Sequence, residues 1–296
     1  MKVGVVSIVG RPNAGKSTLL NSILNTKVAI TSNKPQTTRN NIQGIYNDND
    51  SQIIFVDTPG IHKPVNKLGK YLNRESYSSI EGVDLILFML DASAHFGKGD
   101  EFILDKIKEE NIATFLIINK VDKVKKDELY NMIMEYKDKY DFKEIIPISA
   151  LKENNIDELL KTIKDYLPDG EKVYPEDYYT DKSTRFLVSE LIREKVLRKT
   201  REEVPHAVTV VIENYEEKKE AVVINACIIV ERDGIKKILV GHNGEMIKEI
   251  GIDARKDIEE LVGKSVYLDL FVKTVNNWRD RDKYLVEFGF DENNFE

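Results

Sequence analysis

The chain has 296 residues, a length that suggests about two domains. It carries 44 Lys and Arg against 51 Asp and Glu, and neither residues 1–180 nor residues 181–296 are basic overall, so nucleic-acid binding has to rest on a local patch. A single cysteine, Cys227, excludes an intrachain disulfide and fits a cytoplasmic location. The run "LILFML" is too short to span a bilayer, and the first residues enter a strand pattern without the basic region and cleavage site of a signal peptide.

Up to residue 167 the chain alternates two kinds of pattern. Apolar runs "VGVVSIVG", "IIFVD", "DLILFMLD", "ATFLIIN" and "EIIPIS" are expected strands. Helical patterns such as "KGDEFILDKIKEE" and "KDELYNMIMEYKDKY" separate them. This alternation predicts an α/β domain over 1–167, with a mostly parallel sheet and helices on both faces. Its last helix, "IDELLKTIKDYL", has Asn155 before it and Glu158 three residues on, the spacing of a capping box. Residues 168–182, "PDGEKVYPEDYYTDK", lack periodicity and are expected to form a linker. Residues 183–296 then follow an α-β-β-α-α-β order, a compact α+β unit closed by a helix around Trp278.

Four motifs each follow a predicted strand. Gly10-Arg11-Pro12-Asn13-Ala14-Gly15-Lys16-Ser17, continuing into a helix at Thr18, has the spacing of a phosphate-binding loop. Its glycines let backbone N–H groups converge on phosphate oxygens at a helix N-terminus. Lys16 suits the β- and γ-phosphates and Ser17 suits Mg²⁺. Asp57-Thr58-Pro59-Gly60 offers a carboxylate toward Mg²⁺ and a glycine N–H toward the γ-phosphate. In Asn119-Lys120-Val121-Asp122 the Asp122 carboxylate matches the N1–H and exocyclic amine of guanine. Ser149-Ala150-Leu151 offers the Ala150 N–H to the guanine oxygen. Ligands bind at strand C-termini in such sheets.

On these motifs residues 1–167 resemble the translation-factor class of P-loop GTPases, and "GRPNAGKSTLLN", "QTTR" and "DTPG" resemble its Era family. The resemblance implies a GTPase that binds GTP and GDP and is slow without activation. Thr38, or Thr37, would be the switch I threonine, completing with Ser17 and Asp57 a set of Mg²⁺ ligands. Lys16, Thr38, Gly60 and Asn13 would carry catalysis. Position 61 departs from Ras-like GTPases, where a glutamine orients water; Ile61 cannot hydrogen-bond. Relatives with a hydrophobic residue there use K⁺ held partly by the asparagine at the Asn13 position. The segment after Ile61 would be the mobile switch II.

A second glycine turn, Gly241-His242-Asn243-Gly244, lacks the Lys-Ser of the first. Glu245 after it would repel a triphosphate. A G-x-x-G turn is instead the backbone clamp of KH domains, which grip about four nucleotides of single-stranded nucleic acid. The element order over 183–296 is similar to a type II KH domain, with Ile238, Leu239, Ile247 and Ile250 expected on the buried side. Lys236, Lys237 and Lys248 flank the turn, and the preceding helix adds Arg193, Lys195, Arg198, Lys199 and Arg201. Arg198 and Lys199 are the RNA-contact candidates on that helix. A GTPase followed by a type II KH domain is the Era family's architecture. It implies a monomer that binds the 3′ end of small-subunit rRNA when loaded with GTP and assists assembly of the small ribosomal subunit. Two other outcomes fit the residues. One is an RNA-binding chaperone with negligible GTPase activity. The other uses the basic helix to dock a protein surface, or peripherally the inner face of the cell membrane.

Overall fold

The computed structural model describes residues 1–61 and 64–290. In chain order it runs β1 (Lys2–Gly10), α1 (Lys16–Leu24), β2 (Ile42–Asn47), β3 (Ser51–Asp57), α2 (Lys67–Ser78), β4 (Leu85–Asp91), α3 (Lys98–Glu110), β5 (Thr114–Asn119), α4 (Lys126–Tyr136), β6 (Glu144–Pro147) and α5 (Ile156–Tyr166). It continues with α6 (Thr184–Lys199), β7 (Val208–Glu217), β8 (Ala221–Val230), α7 (Asp233–Val240), α8 (Glu245–Val262), β9 (Ser265–Thr274) and α9 (Asp282–Glu287). Residues 1–61 with 72–181 form one compact unit, and residues 64–71 with 182–290 form the other.

In the first unit the strand order is β2-β3-β1-β4-β5-β6. The strands β3, β4 and β5 are buried along nearly their whole length, which is why they appear in the sequence as unbroken apolar runs rather than alternations. β1 pairs in parallel with both β3 and β4. The chain therefore leaves β1 where the strand order reverses, the usual place for a ligand in an open α/β sheet. The mostly parallel sheet matches the expectation. One strand was not expected: β2, antiparallel to β3 at the sheet edge. Helix α5 buries Ile156, Leu159, Leu160 and Ile163 at helical spacing. Its capping box does not form. Asn155 adopts φ 64° with no side-chain cap, and its Nδ2 donates to Pro147 O at 2.9 Å instead.

The expected linker is laid along this unit. Gly44 bridges Thr180, Ile45 N donates to Tyr179 O at 3.0 Å, and Gln52 Oε1 accepts from the backbone N–H groups of Val173 and Tyr174. The strap covers the open edge of β2, which would otherwise present unpaired backbone groups.

The second unit has a three-stranded sheet, β7-β8-β9, with β7 antiparallel and β9 parallel to β8. Its core joins Val188, Ile192 and Val196 of α6 to Ile224, Ile228, Leu239, Ile250 and Ile258. The α-β-β-α-α-β order is as expected. At the C-terminal end the structure has a 3-10 turn, Trp278–Asp280, and the short α9, where one helix was expected. Trp278 is fully buried and donates from Nε1 to Ala207 O at 3.2 Å.

Candidate nucleotide site and nucleic-acid interface

The first glycine loop connects β1 to α1. Gly15, at φ 104°, holds a conformation that side chains rarely adopt, and a Cβ there would overlap the Asn119 amide. Lys16 is buried and donates to Gly10 O at 3.1 Å and Arg11 O at 3.2 Å. Burial pulls its amine down to about 8, against the opposing pull of Asp57. Burial likewise raises the Asp57 carboxyl, while Lys16 and the Ser17 and Thr38 hydroxyls oppose the rise.

Three oxygens from distant parts of the sequence converge here. Ser17 Oγ donates to Asp57 Oδ2 at 2.6 Å and lies 2.8 Å from Thr38 Oγ1. Thr38 Oγ1 reaches the same Asp57 oxygen at 3.3 Å. Thr37 is turned the other way, its Oγ1 donating to Lys34 O at 2.7 Å. Asp57 Oδ1 is buried and has no hydrogen-bond partner among the described residues.

The two guanine-candidate motifs meet through Asn119. Its Nδ2 donates to Ala14 O at 2.8 Å, and its Oδ1 accepts from Ala150 N at 2.9 Å. One side chain thus ties the phosphate loop to both motifs. Lys120 Nζ donates to Asn13 O at 2.7 Å and pairs with Asp91 at 2.5 Å. Ser149 Oγ donates to Asp122 Oδ1 at 2.6 Å, which orients the carboxylate from the neighbouring motif. Neither Asp91 nor the Ser149–Asp122 bond was anticipated. Asp91 had a usable signal, as the acid ending the apolar run "LILFMLD" beside the other loops. Leu151 is exposed, while Val121 packs at the edge of the cluster around β4. Arg11 pairs with the buried Asp100 at 3.1 Å. Asn13 takes φ 66°, and its Nδ2 donates to Asn33 O at 3.1 Å. Ile61 is buried among Val9, Ile80 and Ile86. Of the expected switch II segment, residues 62 and 63 lie outside the described residues, and Lys67–Ser78 is helix.

In the second unit, Gly241 to Gly244 form a tight turn between α7 and α8. Gly241 is at φ 73°, and a Cβ on it would come within 2.8 Å of Met246 Cβ. Gly244 is at φ 79° with open space where a Cβ would stand. His242 and Asn243 are exposed, as are Lys236, Lys237 and Lys248. A groove between α8 and β9 is lined by Ile247, Ile252, Leu268 and Leu270, with Lys248 and Arg255 among its polar residues.

One expectation needs correction. Leu239 and Ile250 are fully buried and Ile247 partly so, but Ile238 is 50% exposed. Four of the basic residues expected on α6 are paired with carboxylates, Arg198 with its side chain still half exposed. Arg193 pairs with Glu190 at 2.6 Å, Lys195 with Glu194 and Asp257, and Arg198 with Glu194 at 3.0 Å. Lys199 meets Glu249 and Asp253 at 3.1 and 2.9 Å. Arg198 is thus held by Glu194 of its own helix and Lys199 by acids of α8, while Lys236, Lys237 and Lys248 are exposed on the helices either side of the turn.

A family model described as 50S ribosome-binding GTPase matches residues 5–120, and a KH domain model matches residues 203–279. The chain is 45% identical to a variant of Era from Aquifex aeolicus bound to GDP·AlF4−, with a TM-score of 0.95 over 98% of this chain and 99% of that one. It has the same identity, TM-score and coverage against a structure of Era in complex with MgGDPNP and nucleotides 1506–1542 of 16S ribosomal RNA.

Proposed function

The chain belongs to the Era family of GTPases, and on that premise we propose that it is a GTP-hydrolysing switch. It binds the single-stranded 3′ end of small-subunit rRNA during assembly of the small ribosomal subunit. One observation carries the reading: the same chain ties four nucleotide motifs to one phosphate loop and holds out a G-x-x-G turn with both central residues exposed.

The residues at the nucleotide site fit Mg²⁺. Two hydroxyls and a carboxylate make an all-oxygen donor set, and Asp57 Oδ1, without a hydrogen-bond partner among the described residues, is the kind of buried atom a hard cation satisfies. Ser17, Thr38 and Asp57 would hold it. Bound there, Mg²⁺ neutralises charge on the β- and γ-phosphates. Lys16 exchanges its two backbone acceptors for phosphate oxygens, and the loop's N–H groups cradle the rest. Asp122, aligned by Ser149, accepts from the guanine edge, and Ala150 N–H exchanges its bond to Asn119 Oδ1 for the guanine oxygen. Because Ile61 is packed in the core, no side chain at that position orients the attacking water.

The Asn13 amide nitrogen is engaged by Asn33, so its Oδ1 is the atom of that side chain able to ligate K⁺. Steady-state GTP turnover should therefore rise at least about tenfold when Na⁺ is replaced by K⁺, about 1.4 kcal/mol of barrier. Asn13→Ala should remove the stimulation. Equal rates in the two salts would remove K⁺ from the account, and no turnover in either, with or without RNA, would favour the non-hydrolysing chaperone.

In the second unit, the turn brings backbone N–H groups close to the sugar-phosphate chain, and the apolar groove between α8 and β9 receives bases. Lys236, Lys237 and Lys248 supply the local positive charge that a net charge of −7 requires of an RNA binder.

A further inference from the structure

We propose that Ser76 is a positioning residue of the nucleotide switch, acting by holding the peptide unit that carries the Gly60 N–H. The inference rests on the GTPase reading, in which that N–H contacts the γ-phosphate.

The turn after β3 is anchored at three consecutive residues. Asp57 accepts from Ser17, and Thr58 Oγ1 donates to Ile8 O on β1 at 2.9 Å. Pro59 O accepts from Ser76 Oγ on α2 at 2.7 Å. Ser76 is fully buried. The proline fixes its own φ and has no N–H, so its carbonyl is the one backbone group through which residue 59 can be tied down.

The Pro59 carbonyl and the Gly60 N–H belong to one peptide unit. That unit is planar and trans, so its C=O and N–H point in opposite directions. Fixing the oxygen therefore fixes the direction of the N–H. Gly60 itself sits against the phosphate loop, where an added Cβ would come within 2.6 Å of Pro12 N. With α2 behind the carbonyl and the phosphate loop alongside the glycine, the peptide is set before nucleotide arrives. A donor that needs no reorganisation when the γ-phosphate appears is worth more than one that must rotate into place.

A plainer role competes. Ser76 Oγ also lies 2.8 Å from Leu72 O, the i−4 bond that helical serines commonly make. One hydroxyl proton serves both acceptors. The two roles differ in what they do to nucleotide discrimination. A serine that only braces α2 affects GDP and GTP alike, whereas one that presets Gly60 affects only the nucleotide with a γ-phosphate.

The test is the affinity of Ser76→Ala for GDP and for a non-hydrolysable GTP analogue, each with Mg²⁺, measured on the full chain. The analogue should bind about tenfold more weakly than to the parent, with GDP within about twofold. Ser76→Thr, which keeps the hydroxyl, should restore the analogue affinity. Should Ser76→Ala not fold, Ser76→Cys carries the same comparison, being of similar size with a weaker donor. Equal losses for both nucleotides, or no loss for either, would overturn the proposal. Gly60→Ala separates its failure from that of the underlying reading. If that variant leaves the analogue-to-GDP affinity ratio at the parent's value, the γ-phosphate role of Gly60 fails and the inference falls with it. If only Gly60→Ala changes the ratio, the role of Ser76 alone is wrong.

Discussion

Replacing His242 and Asn243 together by aspartate should abolish binding to single-stranded RNA, with an affinity loss above about 100-fold, while GTP turnover measured without RNA stays at the parent's rate. The two side chains are exposed, so the change leaves the core of α7, α8 and the three-stranded sheet intact. What it alters is the charge presented to a sugar-phosphate chain pressed against the turn. A unit charge about 4 Å from a phosphate is repelled by about 1 kcal/mol in water and about 4 kcal/mol near a protein surface. At the near-surface value two such charges, about 8 kcal/mol, exceed the roughly 2.7 kcal/mol that 100-fold requires, whereas at the fully hydrated value, about 2 kcal/mol, they fall short of it. Fluorescence anisotropy against an RNA oligonucleotide, with circular dichroism as the check on folding, measures it. A folded double variant that binds like the parent would leave Gly241 and Gly244 as no more than the shape of a helix connection.

The second large effect is expected at the base. Asp122→Asn should weaken GTP binding by about ten- to a hundredfold and favour xanthosine triphosphate, because the new amide presents a donor to guanine's two donors. An unpaired buried polar group costs about 1–3 kcal/mol, which sets that range. The geometry makes this a clean substitution. Ser149 Oγ donates to Asp122 Oδ1 at 2.6 Å, and an asparagine oxygen in the same place still accepts that bond. The link from Asn119 to Ala14 and Ala150 is untouched. Competition of the two triphosphates for the variant reads the result, and unchanged GTP affinity would remove Asp122 from base recognition.

The phosphate loop, the three motifs after it and the glycine turn of the second unit were legible because each is a short run of residue types at fixed spacing, next to a strand or helix whose own pattern is clear. The parallel strands were legible for a related reason: burial on both faces leaves them as unbroken apolar runs. β2 was not. "IQGIYN" has neither such a run nor a clean alternation, and its Gly44 is there because Leu20 and Leu24 fill the space a Cβ would occupy. Its pairing comes from β3 on one side and the strap at 179–181 on the other, which are tertiary facts.

The strap itself lacks periodicity because much of it is held by side chains, chiefly Gln43, Asn47 and Gln52, rather than by a regular ladder. Asn155 looked like a helix cap because its type and spacing were right, but its side chain is drawn back to Pro147. The pairing of the charge on α6 was hidden for a parallel reason. Lys199 is neutralised by Glu249 and Asp253 and Lys195 by Asp257, acids about 50 to 60 residues away that no inspection of the helix alone would match to them. Ser76 gave no sequence signal, since its partner Pro59 is known only once α2 is placed.

In a switch of this family, nucleotide state gates RNA binding within one chain. The most direct test of that gating is the affinity of the intact protein for an RNA oligonucleotide copying the 3′ end of 16S rRNA. The measurement is fluorescence anisotropy with saturating GDP and again with a non-hydrolysable GTP analogue, both in Mg²⁺ and K⁺. A switch of this kind should bind the RNA at least about tenfold more tightly with the analogue, a coupling of about 1.4 kcal/mol. Equal affinity in the two nucleotide states would mean that nucleotide does not gate RNA binding.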